Sequence, residues 1–303
     1  MVGMSANGST GDAAPSSLRL IKGHGTRNDF LLVPAVDASS APPEISAELV
    51  AALCHRRAGM GADGLIRVVP PGVEGNGKFW FMDHRNADGS LAQMCGNGAR
   101  VFVRYLVTSG RVVADPDGRL RIATRAGENE AQVHDDGTIT ISMGAPSFPT
   151  VRTVPVVSVV SAVSDQGSSS WPSTGVLMPN PHAVVFVDDL DDAGPLLDAP
   201  DVAPGSVFPD GVNVEFVVLE GPGRLSMRVH ERGSGETQSC GTGACAAVVA
   251  ARRRLGEGAP AAWLVTVPGG RLTVTESADG IDLRGPAVLV GEVVINDLSA
   301  LLG

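Results

Sequence analysis

Cysteine is scarce in this 303-residue chain, which contains only Cys54, Cys95, Cys240 and Cys245. So few cysteines over such a length do not form a disulfide framework, and no pair has the spacing of a zinc site. We therefore predict no metal centre. Free thiols are typical of a reducing compartment, so the composition favours a cytoplasmic protein.

Long apolar runs and an excess of positive charge are missing as well. No uncharged apolar stretch approaches the roughly 18 residues that a membrane-spanning helix needs, and the net charge of −10 argues against nucleic acid or an acidic membrane as a partner. Residues 1–17 are rich in Gly, Ser and Ala and contain no basic or apolar segment. This composition predicts a disordered leader and not a signal peptide.

The most informative feature of the chain is a short motif that occurs twice. Gln93-Met-Cys-Gly-Asn-Gly-Ala-Arg100 is echoed by Gln238-Ser-Cys-Gly-Thr-Gly-Ala-Cys245. Each copy follows a polar, Gly-containing loop and runs into an apolar helical pattern. Cys95 and Cys240 are therefore predicted at the N-termini of two buried helices.

A cysteine at a helix N-terminus has a chemical meaning. Unpaired N–H groups and a partial positive charge at that end favour a thiolate over a thiol, and they also bind carboxylates. A single motif of this kind is equally compatible with a buried structural cysteine. Two copies at matching places in a duplicated pattern favour a functional pair.

The duplication extends beyond the cysteines. Asn28 and Asn180 each precede a strand pattern, and so do Asp63 and Asn213. The order of loop, strand, turn, strand, polar loop and Cys-helix is kept in both halves. We therefore predict an α+β fold of two pseudo-symmetric domains whose helix N-termini face each other across a cleft, with the active site in that cleft.

Several local assignments follow from the pattern between these landmarks. Apolar spacing predicts a helix over Ile45–Arg57. Aromatic residues indicate a strand over Lys78–Met82, followed by a polar loop, Asp83–Gly89, that leads to Cys95. Small and polar residues at Asp165–Ser170 predict a mobile loop.

Two thiols on opposite sides of one ligand suit the inversion of a carbon acid. One thiolate removes a proton from one face, and the other thiol supplies a proton to the opposite face. A free thiol has a pKa of about 8.5, and the helix N-terminus is expected to lower it. The reacting carboxylate would be held by backbone N–H groups; those that we expect to do so belong to Gly96, Asn97, Gly241 and Thr242.

Pyridoxal phosphate is the usual electron sink for such chemistry, and it requires a lysine for its Schiff base. The chain contains only Lys22 and Lys78, and neither lies in a convincing site. We therefore expect the reaction to use no cofactor.

The remaining polar loops suggest the other end of the substrate. Glu231 next to Arg232 is complementary to an ammonium next to a carboxylate, although a surface ion pair has the same sequence. His182 is either a structural histidine or the base that prepares one cysteine, and Glu231 could prepare the other. Four asparagines could bind the same end of the substrate, or serve as turn residues: Asn28, Asn86, Asn180 and Asn213.

At these residues the chain resembles the diaminopimelate epimerase family. The resemblance runs from Leu18 to the C-terminus and also includes His24-Gly-Thr-Arg-Asn-Asp-Phe30 and Asn180-Pro-His182. It implies interconversion of LL- and meso-2,6-diaminopimelate by two cysteines, in lysine and peptidoglycan synthesis. It further implies a homodimer, with His182 as the partner of Cys95 and Glu231 as the partner of Cys240.

The same resemblance implies the domain plan. Each domain would be a mostly antiparallel, barrel-like sheet around a central helix. The N-terminal domain would comprise residues 18–143 together with the returning segment 287–303, and the C-terminal domain residues 144–286. The chain departs from the family pattern at three positions: Pro179 where Gly is common, Gly64 where some members have Gln, and Thr242 where Ser is frequent.

Two other functions remain open at this point. Proline or hydroxyproline racemases share the fold and the paired cysteines, but they tend to have His in place of Asn97. Their one-headed substrates would also leave Glu231 and Arg232 without a purpose. A thiol redox or binding protein would instead cycle its two cysteines through a disulfide.

Overall fold

The computed structural model describes residues 17–75, 77–150, 153–160 and 168–302. All but the last residue of the predicted leader therefore lie outside the described residues, as does the first half of the predicted loop Asp165–Ser170. The second half of that loop belongs to a strand.

The first half of the chain contains seven of the described strands and two of the described α-helices. They are β1 (Leu18–Gly25), β2 (Asn28–Pro34), α1 (Ala47–Cys54), β3 (Gly64–Val69), β4 (Phe81–Asn86), α2 (Gly96–Thr108), β5 (Arg119–Thr124), β6 (Gly127–Val133) and β7 (Ile139–Ser142).

The second half repeats this order and ends with a returning strand. Its elements are β8 (Val156–Val160), β9 (Ser168–Leu177), β10 (Pro181–Phe186), β11 (Asp201–Ala203), β12 (Asn213–Gly221), β13 (Arg224–Glu231), β14 (Gly235–Glu236), α3 (Gly241–Leu255), β15 (Ala262–Val267), β16 (Gly270–Ser277), β17 (Gly280–Gly285) and β18 (Val288–Ile295). Short 3-10 helices lie at Val73–Gly75, Leu190–Ala193, Gly205–Val207 and Ser299–Leu301.

Strand pairing confirms the predicted duplication. In the first half, β1–β2 is antiparallel, β2–β3 parallel, β3–β4 antiparallel and β4–β5 parallel, and the β5–β6–β7 meander is antiparallel. Strands β9, β10, β12, β13, β15, β16 and β17 pair in the same alternation. The predicted α+β fold of two pseudo-symmetric halves is therefore correct.

Two ladders connect the halves. β7 pairs antiparallel with β17, so the two sheets are continuous at that point, and β18 returns to pair antiparallel with β1. The last strand therefore lies against the first half, and the division at residues 143 and 286 stays a prediction.

Each half encloses one of the two longer helices. α2 packs against β1, β2 and β7, whereas α3 packs against β9, β10, β12 and β16. α3 is buried over nearly its whole circumference, because small residues from Ala244 to Ala251 let the surrounding strands approach closely. No helix within the described ranges is long and apolar enough to cross a bilayer.

The predicted loop Asp83–Gly89 is wrong over Asp83–Asn86, because β4 continues through Asn86 and only the residues after it form a turn. The charged residues of this stretch of β4 are paired with each other and with neighbouring strands. The carboxylate of Asp83 is buried and lies 2.8 Å from the guanidinium of Arg67, with Arg125 on its other oxygen. A strand can therefore include these charges, since each buried charge has a partner.

Candidate active site

Both motif cysteines begin helices, as predicted. Cys95 is the N-cap of α2, and its Sγ accepts a hydrogen bond from the N–H of Gly98 at 3.4 Å. Cys240 is the N-cap of α3, and its Sγ accepts from the N–H of Gly243, also at 3.4 Å. Both cysteines are free thiols.

The two helix N-termini meet directly. A Cβ added to Gly241 would lie 3.4 Å from the Cα of Gly96 and 3.5 Å from the backbone nitrogen of Asn97. A Cβ at Gly96 or Gly241 would also lie less than 3 Å from the side chain of Leu283, at 2.7 and 2.9 Å. A side chain at either position would have to displace the end of Leu283, so glycine lets the two cysteine loops pack together without that shift.

Cys240 lies in an acidic environment. Cys240 is 4 % exposed, and the negative charge of Glu231 acts on its sulfur. The carboxylate of Glu231 accepts a hydrogen bond from the hydroxyl of Thr237. The Thr242 hydroxyl lies 3.4 Å from the sulfur. The charge of Glu231 therefore acts on Cys240, and its role as the partner of that cysteine stays a prediction.

Glu215 is a second carboxylate at this end, and the sequence analysis missed it. It is fully buried on β12, and a Cβ on Gly243 would lie 2.7 Å from its Oε1. Its Oε2 has no hydrogen-bond partner among the described residues. A buried Glu in an otherwise apolar strand that follows Asn213 was the only available signal, and it was too weak to reveal the site.

His182 pairs with Glu215 and makes no described hydrogen bond to Cys95. Its Nδ1 lies 2.6 Å from Glu215 Oε1, and its Nε2 lies 3.0 Å from Asn180 Oδ1. Both ring nitrogens therefore face oxygen atoms, one of a carboxylate and one of an amide. The suggested His182–Cys95 partnership is therefore not a direct contact in this conformation.

Cys95 has a different set of neighbours. Its thiol lies 3.8 Å from Asn28 Oδ1, and the backbone N–H groups of Asn97 and Gly98 point at its sulfur. The side chain of Asn97 donates to Asn28 Oδ1 at 3.2 Å and to the carbonyl of Ser239 at 3.0 Å. Asn97, in the first turn of α2, thus connects the start of β2 with the loop that precedes α3.

The expected lowering of the thiol pKa is wrong for this conformation. Burial raises the pKa of Cys95 to about 11, with Glu231 adding to the rise and Arg100 opposing it. Burial also raises the pKa of Cys240 well above its usual value, and the charges of Glu231 and Glu215 raise it further. Loss of hydration therefore outweighs the two helix N-termini.

Glu231 has the properties of a proton acceptor for Cys240. Burial raises the pKa of its carboxyl group, while hydrogen bonds from Thr237 and Cys240 oppose that rise. A raised pKa makes this carboxylate a stronger base than an exposed glutamate.

The predicted substrate-binding residues do not all lie in one cavity. Asn180 and Arg232 line a cavity of about 390 Å³, whose walls also include Met178 and Phe208. The Oδ1 of Asn213 accepts a hydrogen bond from the backbone N–H of Arg232 at 2.9 Å. The exposed Asn86 bonds to Ser90 and lies outside this cavity.

The side-by-side Glu231–Arg232 pair is also separated. Glu231 points to Cys240, whereas the guanidinium of Arg232 donates to the carbonyl of Asp210 at 2.7 Å. Adjacent residues at the end of a strand direct their side chains to opposite faces. The two groups therefore belong to different parts of the site.

Comparison with known proteins gives a consistent result. The profile of the diaminopimelate epimerase family matches residues 20–149 and 174–294. A diaminopimelate epimerase of Streptomyces coelicolor is 50% identical over 288 residues, covering 91% of this chain and 94% of the relative. One from Thermobifida fusca is 42% identical over 298 residues, covering 94% and 100%.

Solved structures share the fold at low sequence identity. A hydroxyproline epimerase from Agrobacterium vitis has a TM-score of 0.61 at 17% identity, covering 92% of each chain. A PhzF-family phenazine biosynthesis protein from Bacillus anthracis also has a TM-score of 0.61 at 17% identity, covering 92% of this chain and 99% of its own.

The acidic environment of Cys240 yields a test. In a Cys95→Ser background, Glu215→Gln should make Cys240 react with iodoacetamide about tenfold faster at a given pH, because removing a nearby negative charge favours the thiolate. The measurement is the pH dependence of carboxamidomethylation at Cys240, followed by peptide mass spectrometry.

Glu236→Gln provides the matched control, since that carboxylate pairs with Arg228. It should leave the alkylation profile unchanged. An unshifted profile in folded Glu215→Gln protein would mean that Glu215 does not act on the sulfur.

Proposed function

The chain belongs to the diaminopimelate epimerase family, and we propose that it interconverts LL- and meso-2,6-diaminopimelate, a reaction of lysine and peptidoglycan synthesis. The observation that carries this proposal is the placement of Cys95 and Cys240 at two helix N-termini that touch. The relatives named above, at 42–50% identity, are diaminopimelate epimerases.

The reaction consists of two proton transfers at one carbon. One thiolate takes the α-proton and becomes a thiol, leaving the electron pair on carbon. The opposite thiol then gives its proton to the other face and becomes a thiolate. The two cysteines thereby exchange roles, which lets the same site work in both directions without a cofactor.

The carbanion requires stabilisation at the substrate carboxylate. We assign this to the first backbone N–H groups of both helices, where unpaired donors and the partial positive charges converge. The groups proposed for this contact belong to Gly96, Asn97, Gly241 and Thr242. Because Cys240 is almost fully buried, the cleft must open for the substrate to reach these groups.

We assign the distal end of the substrate to the cavity lined by Asn180 and Arg232. Arg232 would bind the distal carboxylate and Asn180 would hydrogen-bond the same head, while Met178 and Phe208 contact the methylene chain. This assignment distinguishes the chain from enzymes for one-headed substrates such as proline.

The two-cysteine mechanism predicts the effect of removing either thiol. Cys95→Ser and Cys240→Ser should each lower kcat by at least about a hundredfold, because a serine hydroxyl is a much weaker acid and its alkoxide is not accessible. The assay is reduced protein with LL-diaminopimelate in D2O without pyridoxal phosphate, followed by chiral analysis and mass spectrometry.

Wild-type protein should yield meso product that carries α-deuterium. Cys54→Ala serves as the matched control, since Cys54 is a buried cysteine of α1 outside the site. Normal turnover by either Ser variant contradicts the two-base mechanism. Exchange of proline or trans-4-hydroxyproline, with none of diaminopimelate, would support the racemase alternative. A disulfide required for activity would support the redox alternative.

The distal assignment predicts a binding defect. Arg232→Ala should lower kcat/KM for diaminopimelate roughly 10- to 100-fold, the range expected for a lost hydrogen bond to a charged group. Steady-state kinetics measure this, and Arg224→Ala, at the exposed start of β13, is the control. Equal kinetics for the two variants would remove Arg232 from the site.

We propose that the protein works in the cytoplasm as a homodimer. β18 pairs only with β1 in the described part of the chain. It leaves Val288, Val290 and Val294 exposed by 43%, 63% and 53% on one face. An apolar strip of this kind at a sheet edge is suited to association with a second copy.

Val290→Glu should therefore shift the protein towards the monomer, because the interface would have to bury an unpaired charge. Sedimentation velocity at several concentrations measures the change. Leu255→Glu, at the exposed end of α3, should leave the distribution unchanged. A dimer of undiminished stability in the Val290 variant would place the interface elsewhere.

A further inference from the structure

Arg100 is a buried cation in the first turns of α2, and the sequence analysis assigned it no role. It is fully buried, and its guanidinium hydrogen-bonds only to neutral oxygens. These acceptors are Asn97 Oδ1 at 2.7 Å, the Gly96 carbonyl at 3.3 Å, Thr26 Oγ1 at 3.3 Å and the Pro286 carbonyl at 3.2 Å. No described carboxylate forms a salt bridge with it.

A buried guanidinium without an anion is costly, and burial lowers the pKa of Arg100 to about 10. The groups that oppose this lowering are the thiols of Cys95 and Cys245. The side chain of Cys245, on α3, is fully buried and takes no part in the proposed reaction. Cys95 is therefore the group whose ionisation would provide the missing negative charge.

Arg100 also fixes the direction of a hydrogen-bond chain. It can only donate, so Asn97 must present Oδ1 to it and Nδ2 to the opposite side. Asn97 Nδ2 donates to Asn28 Oδ1, and Asn28 Nδ2 donates to Asp63 Oδ2 at 2.7 Å. A donor-only cation at one end and an acceptor carboxylate at the other determine the orientation of both amides.

This orientation controls both cysteine loops. Asn28 Oδ1 is the atom that faces the Cys95 thiol, at 3.8 Å. Asn97 Nδ2 also donates a hydrogen bond to the backbone carbonyl of Ser239, the residue that precedes Cys240. The same side chain therefore positions one cysteine through Asn28 and the other through the backbone.

We propose that Arg100 is a positioning residue of the two-cysteine site, which orients Asn97 and Asn28 around Cys95 and supplies the buried positive charge for the Cys95 thiolate. This inference rests on the proposed function, because it gives a partner to one of the two proton-transferring groups. It goes beyond that function because it gives a positioning role to Arg100, which the proposed reaction does not use.

Other groups around Cys95 do not supply this charge. Asn28 from β2 is neutral, and the N–H groups of Asn97 and Gly98 carry only partial charges. Glu231 from β13 is negative and raises the pKa of Cys95. Among the described charges that act on Cys95, Arg100 is the cation that opposes Glu231.

The test measures thiol ionisation without substrate. In a Cys240→Ser background, Arg100→Gln should slow carboxamidomethylation of Cys95 by about tenfold at a given pH, a shift of about one pH unit in the reactivity profile. Arg100→Lys keeps the charge but not the forked donors, so its rate should stay within about threefold of the parent. Peptide mass spectrometry reports the modified residue.

Arg104→Gln is the matched control, since Arg104 lies one turn further along the same helix and donates only to backbone carbonyls. It should leave the Cys95 profile unchanged, and circular dichroism verifies folding of each variant. A folded Arg100→Gln protein with the parental profile overturns the proposal. Where the Gln variant does not fold, a tenfold loss of Cys95 reactivity in Arg100→Lys overturns it as well. Because no substrate is used, neither result depends on epimerase activity.

Discussion

The contact between two helix N-termini is the constraint on which the rest of the structure depends. Helices α2 and α3 belong to different halves of the chain, and their first residues, Gly96 and Gly241, lie within contact distance of each other. Like ends of two helix dipoles repel, so this arrangement requires strong packing elsewhere or a negative ligand between them. The β7–β17 ladder and the buried core around both helices provide the packing. A substrate carboxylate would provide the ligand.

The two buried thiols differ in the charges that surround them. Cys240 faces Glu231 and Glu215, whereas the charges that act on Cys95 include the cation Arg100. The two halves have the same strand order, so the asymmetry comes from individual residues and not from the fold. In the proposed mechanism, this asymmetry would let one thiol act as proton donor and the other as acceptor on a pseudo-symmetric scaffold.

Features that occur in both halves could be predicted from the sequence, whereas side-chain pairs that occur only once could not. Duplication of the cysteine motif and the order of strand and loop patterns predicted the two capped helices and the α+β plan, because both copies support each interpretation. The pairing of His182 with Glu215 has no counterpart in a repeat or a motif. It depends on β10 and β12 lying side by side with His182 opposite Asn213, a register that no local pattern determines. Likewise, Asp83 was taken for part of a loop because its partner Arg67 is distant in sequence.

Burial that raises the thiol pKa also suits the reaction. The α-proton of an amino acid is a very weak acid, and a thiolate is a better base for it when its own conjugate acid is weaker. A thiol with a pKa near 11 is rarely ionised at neutral pH, but once ionised it removes carbon-bound protons more effectively than an exposed thiolate of pKa about 8.5. Arg100 limits the loss of thiolate at Cys95, whereas the charges of Glu231 and Glu215 add to the loss at Cys240. In the proposed mechanism, desolvation therefore increases the basicity of both thiolates, and the buried charges make Cys95 the one that ionises more readily.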